Sequence, residues 1–340
     1  MKVRLARIIV LSVLIAPAVS AQIVQTEQSS GTKALLIAVS PVNERVVWAS
    51  GTGGTWVRTV DGGATWQTGV VPGADSLQFR DVHAVDADHA WLLSIGPGSA
   101  SRIYITRDAG AHWTEQYRTP EPTGFFDCMD FWNAKRGLAI GDEIGGRIQL
   151  LRTEDGGDHW NLVPAAALPA AQPKEGSFAA SGLCLIARSG GRAWFVASAS
   201  PTGRVFRTAD FGKHWSVDTL PITTTDVVGP NSIAFRDARH GMVFGGGPDG
   251  AVQSAVTEDG GAHWTPRGRP GVDVFGGVYV PGTRTATVVV VGRKGAAWSR
   301  DEGMTWTTLN DFNYWSVGFA SPNAGWAVGV GGRISKLSGF

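Results

Sequence analysis

The fold class this sequence predicts is all-β: a seven-bladed β-propeller of four-stranded antiparallel blades, and three observations predict it. A six-residue box recurs along the chain, glycine turns separate short alternating apolar runs around each copy, and helical periodicity is absent beyond the first residues. Composition agrees. The 340 residues hold 46 Gly and 14 Trp with only 17% charged residues, which excludes a coiled coil or a charged disordered tail.

The box reads Asp-x-Gly-x-x-Trp. It occurs at Asp61 and Trp66, Asp108 and Trp113, Asp155 and Trp160, Asp210 and Trp215, Asp259 and Trp264, and Asp301 and Trp306, at steps of 47, 47, 55, 49 and 42 residues. Thr or Ser stands two places before every Asp. A carboxylate there accepts N–H groups across a tight turn, Gly takes a positive φ, and Trp covers the hairpin with an apolar ring. The box therefore reads as a structural staple.

Strands flank each box, as in 136–141 and 147–153. The roughly 319 residues after a leader divide into seven units of about 46, near the size of a four-stranded blade. The seventh unit has no box. It offers only three strands, 314–319, 325–329 and 333–337, before the sequence ends. Residues 23–26 precede the first full blade and have no other partner, so they are expected to pair beside 333–337 and close the ring, removing an exposed edge.

The leader itself is expected to be residues 1–21. Lys2, Arg4 and Arg7 precede the apolar run 8–15, and small residues offer a cut before Gln22. The run is shorter than the roughly 20 residues needed to span a bilayer. No Cys follows the cut, so a lipid anchor is not expected. The expectation is a soluble protein, periplasmic or secreted, with a single domain over 22–340. Without the leader the charge falls from +1 to about −2, which excludes a general nucleic-acid binder.

The phrases Gly-Trp-Ala-Val-Gly and x-x-Gly-Arg-Ile in 325–334, and Thr-x-Asp-Gly-Gly-x-Thr-Trp in 59–66, give the chain a family likeness. It resembles the photosystem II stability and assembly factor family of seven-bladed Asp-box (BNR) propellers. The resemblance implies a non-enzymatic role: an exported or lumenal scaffold that holds a protein or peptide partner, such as an assembling membrane protein. His112, His159, His214 and His263 depart from the pattern, standing where Thr is usual, and 337–339 replace a seventh box.

Strand parity separates two rims. The starts of strands A and C share one, while the A-to-B turns and the boxes share the other. On the first rim, near the channel, Arg80, Asp81, Asp127, Asn231, Asp273 and Trp315 are expected, with Arg102, Arg147, Arg204 and Arg333 at strand-C starts and Lys294 in the matching loop of blade six. Arginine's planar fork suits carboxylates, so this rim is the candidate recognition surface for an acidic segment. The alternative is solvated arginines paired with neighbours such as Asp142 and Glu143. Residues 163–176, rich in Pro and Ala, are expected to form a solvent-exposed insertion on the same rim, with a contact loop as the alternative.

Other residues read as structural. Four His lie in boxes of different blades and cannot share a metal, and no metal or cofactor is implied. Trp48, Trp91, Trp194 and Trp326 recur on strand B and are expected to pack between blades. Cys128 and Cys184, both on inner strands, are expected to be buried free thiols, with an inter-blade disulfide as the alternative. The competing function is a sialidase-like glycoside hydrolase, because Asp-box propellers include such enzymes. It would use Asp81 and Asp127 as a carboxylate pair at the channel mouth. Glu154, Glu258 and Glu302 lie within boxes on the other rim, and no further catalytic motif is present. The chain is expected to act as a monomer.

Overall fold

The computed structural model describes residues 23–225, 227–245 and 253–340, so the leader and its cut lie outside the described residues. Seven four-stranded antiparallel sheets are present, each running outward in the order A, B, C, D. Blade one comprises Leu36–Pro41, Val47–Gly51, Thr55–Thr59 and Gln67–Val70. Inner strands of successive blades pack side by side, and the strand A of blade one packs against that of blade seven, so the ring is complete.

Closure takes the expected form. Blade seven is built from Tyr314–Ser321, Ala324–Gly329 and Arg333–Ser338, and its outer strand is Val24–Ser29. Val24 lies opposite Ser338 and Ser29 opposite Arg333. Gln28 bolts this strand in place: its Oε1 accepts the indole N–H groups of Trp66 and Trp326, each at 3.2 Å. A Cβ on Gly63, at φ +88°, would meet that oxygen at 2.1 Å, so only glycine fits there.

The boxes are staples. Thr59 donates to Asp61 Oδ1 at 2.7 Å while accepting the Gly63 N–H, and Asp61 accepts the N–H and hydroxyl of Thr65. Where His replaces that Thr, its Nδ1 takes over the hydroxyl's role, as in His112 to Asp108 Oδ2 at 2.6 Å and His159 to Asp155 Oδ2 at 2.7 Å. Burial works against the Asp155 carboxylate, but the His159 N–H groups outweigh it and hold its pKa down at about 2. Box glycines or their neighbours also donate to the A-to-B turn of their own blade, for instance Gly62 to Arg45 and Gly156 to Lys135. Boxes and A-to-B turns thus share one rim.

The core lies between blades. Strand-B tryptophans reach across gaps between blades: Trp194 stacks on Phe235 of blade five at 3.8 Å and donates to Gly260, while Trp91 stacks on Phe131 of blade three and donates to Gly156. Each ring is buried and its N–H satisfied, as a large amphipathic side chain in a core requires.

Two expectations need correction. Cys128 and Cys184 are not free thiols but form a disulfide between blades three and four. Inner strands converge toward the axis, which brings their Cα atoms to 6.0 Å, within disulfide reach. The insertion is not a plain solvent loop either. Glu175, fully buried, takes a two-point ion pair from Arg204, with Nε to Oε1 at 2.6 Å, so the loop is pinned against blade four.

Candidate functional site

The chain after that insertion passes through the centre of the ring. Residues 179–183 cross the channel and are tied to four blades. Arg80 of blade two donates to Ala179 O at 2.9 Å, Ser181 donates to Phe275 O of blade six at 2.8 Å, Ser316 of blade seven donates to Ser181 O at 2.9 Å, and Ile233 N–H of blade five donates to Leu183 O at 2.9 Å. Gly182, at φ +75°, lies so close to Asp81 that a Cβ would meet its Oδ1 at 2.4 Å. These residues form a plug, and the disulfide fixes its end.

Above the plug, at the strand-A mouth, four side chains from three blades gather. The Arg80 guanidinium lies 5.0 Å from the Trp315 ring, Trp315 lies 4.8 Å from Phe275, and Arg293 stands over Phe275 at 5.3 Å. Trp315 and Phe275 are half-buried, so each ring keeps a face toward solvent. Arg80 and Trp315 are thus brought together as the sequence suggested. Phe275 and Arg293 were missed, although Arg293 directly precedes Lys294 in the B-to-C turn.

Arg80 is unusual in its surroundings. It also donates to Gln78 Oε1 at 3.2 Å, and it has no ion pair with a carboxylate among the described residues. Its neighbour Asp81 does not neutralise it. That carboxyl is buried against the Val82 and Met129 N–H groups, and burial, helped by the charge of Asp130, raises its pKa well above the usual range. Burial also lowers the pKa of Arg80 itself, the mark of a cation short of solvent and counter-charge.

The other rim cations are engaged locally. Arg102 pairs with Glu115 at 3.4 Å, Arg147 donates to Val163 O, Arg204 holds Glu175, Arg333 pairs with Glu27 at 2.6 Å, and Lys294 lies 3.4 Å from Asp273. They do not make one continuous surface, and none pairs with Asp142 or Glu143. Strand-C starts lie farther out than strand-A starts, so each arginine meets the outer strand or the insertion of its own sheet. Asn231 donates to Val274 O at 2.8 Å, bridging two blades.

Asp81 and Asp127 do not form the expected carboxylate pair. Asp127 is buried beside Asp142 rather than Asp81; burial first and the Asp142 charge second raise its pKa far above normal, and burial lifts Asp142 to about 6. Facing inward on neighbouring strands, both candidates are cut off from the mouth. Among the described residues, no group of His, Cys, Asp and Glu could hold a metal ion, and no helix is long and apolar enough to cross a membrane.

No protein-family model matches the chain, and no curated protein matches it in sequence. Similarity appears among solved structures. The chain folds as the YCF48 propellers do. YCF48 bound to D1 peptide superposes with a TM-score of 0.66 at 18% identity, over 93% of this chain and 96% of that one. YCF48 from Cyanidioschyzon merolae gives 0.65 at 16% identity, over 92% and 98%. The GH74 xyloglucanase from Xanthomonas campestris gives 0.63 at 15%, over 92% of this chain but 53% of the enzyme. At such identities the likeness establishes the fold, and it agrees with a propeller like those of photosystem II assembly factors.

Proposed function

We propose that this protein is an exported, non-catalytic scaffold that acts as a monomer and holds a carboxylate-bearing segment of a protein partner, an assembling membrane protein, at the strand-A mouth. One observation carries the reading: Arg80 is a half-buried guanidinium stacked on Trp315 with no carboxylate of its own. A ligand carboxylate would supply the missing counter-charge, and the exposed faces of Trp315 and Phe275 would take an apolar neighbour in the same segment. The plug beneath makes the segment lie across the mouth rather than thread through it. The YCF48 propeller bound to D1 peptide supports a peptide as the ligand class. A glycosidase reading has less support, because the two carboxyls it requires are buried and separated.

The test uses fluorescein-labelled D1 peptide with a free carboxyl end, and its amidated twin, titrated by anisotropy. Saturable binding is expected for the free carboxylate, weakened about tenfold by amidation and by Arg80→Gln. Equal affinity across these four combinations, or no binding of any carboxylate peptide in a wider acidic set, would discard the proposal. Release of reducing sugar from a glycan panel, lost on Asp127→Asn, would instead favour the hydrolase.

A further inference from the structure

The plug also creates a second compartment. Beneath Ser181, Gly182 and Leu183, toward the box-bearing rim, lies a chamber of about 720 Å³. This volume falls within the roughly 300–1,000 Å³ typical of small-molecule sites. Its lining includes apolar side chains that keep accessible surface, Val278, Pro281 and Phe319.

Three arginines from consecutive blades also line it: Arg188 of blade four, Arg236 of blade five and Arg284 of blade six. They are not equivalent. Arg236 is already neutralised, with Nε on Glu302 at 2.9 Å and Nη1 on Asp237 at 3.1 Å. Arg188 is anchored by Nε to Phe235 O at 3.1 Å and by Nη1 to Ala187 O at 3.2 Å, which leaves Nη2 uncommitted among the described residues. The nearest acid, Asp130, is occupied by His83 Nδ1 and the Ala187 N–H, each at 2.7 Å. Arg188 is ringed by protein but open to the channel's water, and that enclosure lowers its pKa. Arg284, exposed at the mouth, has no hydrogen bond or ion pair among the described residues. Asp81, at the roof, is buried, and burial raises its pKa. The chamber therefore offers two guanidiniums without paired carboxylates together with accessible apolar side chains.

We propose that this chamber binds a small amphipathic organic acid, its carboxylate held by Arg188 and Arg284 and its aliphatic or aromatic body against Val278, Pro281 and Phe319. Arginine forks grip a carboxylate with directional, charge-assisted bonds, and the roof limits the water that competes for them. Contact with those apolar side chains takes the ligand body out of water. This site occupies the opposite mouth from Arg80 and stands whether or not a partner segment binds there.

Calorimetric titration of the full chain with octanoate and phenylacetate tests the proposal, with octanol, phenylacetamide and inorganic phosphate as comparison probes. At least one acid should bind saturably at one site per chain. Its affinity should fall about tenfold in Arg284→Gln and in Arg188→Gln. Arg284 is exposed and supports no contact, so its variant keeps the test valid even if Arg188→Gln fails to fold. The proposal is overturned if neither acid binds at low-millimolar concentration, if the neutral twin or bare phosphate binds as tightly, or if Arg284→Gln changes nothing.

Discussion

Breaking the Cys128–Cys184 disulfide should be costly because it closes a long loop through two blades. The sequence separation is 56 residues. Constraining a loop of that length removes about 14 cal/mol/K from the unfolded chain, or about 4 kcal/mol at 25 °C. Spread over the unfolding entropy of a chain this size, the loss corresponds to a Tm lower by roughly 6 °C. Thermal unfolding followed by near-ultraviolet circular dichroism, with and without reductant, reads this directly, and Cys128→Ala/Cys184→Ala should match the reduced wild type. The plug should suffer more than the ring, since Cys184 ends it; hydrogen exchange at 179–183 should rise well before the outer strands respond. Two free thiols in the unreduced, denatured protein, or a Tm unmoved by reductant, would refute the reasoning.

Three further outcomes are expected. Gln28→Ala leaves the indole N–H groups of buried Trp326 and half-buried Trp66 without their acceptor and should cost about 1–3 kcal/mol, read as a lower urea midpoint; deletion of 24–29 should lower it further, and an unchanged melt would contradict closure by that strand. Glu175→Ala strands the Arg204 cation and should destabilise by about 3–5 kcal/mol, measured by the same denaturation, whereas a neutral effect would mean that the insertion is not docked. Asp142, pushed up to about 6 by burial, favours folding fully below its unfolded pKa of about 4 and loses that contribution as pH rises through 6, on the order of 3 kcal/mol. Asp142→Asn should therefore flatten the decline in stability between pH 4 and 8, and parallel profiles for variant and wild type would show that the carboxyl does not titrate in this window.

Much of the ring was legible because its signals are local. Asp61, Gly63 and Trp66 lie within six residues of one another, and hydrogen bonding inside one turn decides their geometry. Closure was legible for a different reason: blade seven lacked one strand, and only the segment after the leader could supply it. The features at the axis were not readable in the same way. The Cys128–Cys184 bond, the Ser181 plug and the separation of Asp81 from Asp127 depend on how closely inner strands converge, which parity along a strand does not encode. One clue was present in the insertion. Glu175 is an acid in a stretch poor in charge, and its partner Arg204 begins a strand C on the same rim. Another stood at the ends of two inner strands, where Arg188 and Arg236 both follow apolar runs and turn toward the channel.

The pairing of Val24 with Ser338 has a consequence for biogenesis. At about 5–20 residues per second, the earliest strand waits some 15–60 s on the ribosome for its complement. Until then six finished sheets form an open arc with a raw edge at each extremity, a shape prone to joining a neighbouring nascent chain. Synthesis of residues 333–338 converts that arc to a closed circle in one step. A ribosome stalled shortly before Arg333 should therefore yield a chain that is largely folded yet sticky, and synthesis through Ser338 should abolish the stickiness at once.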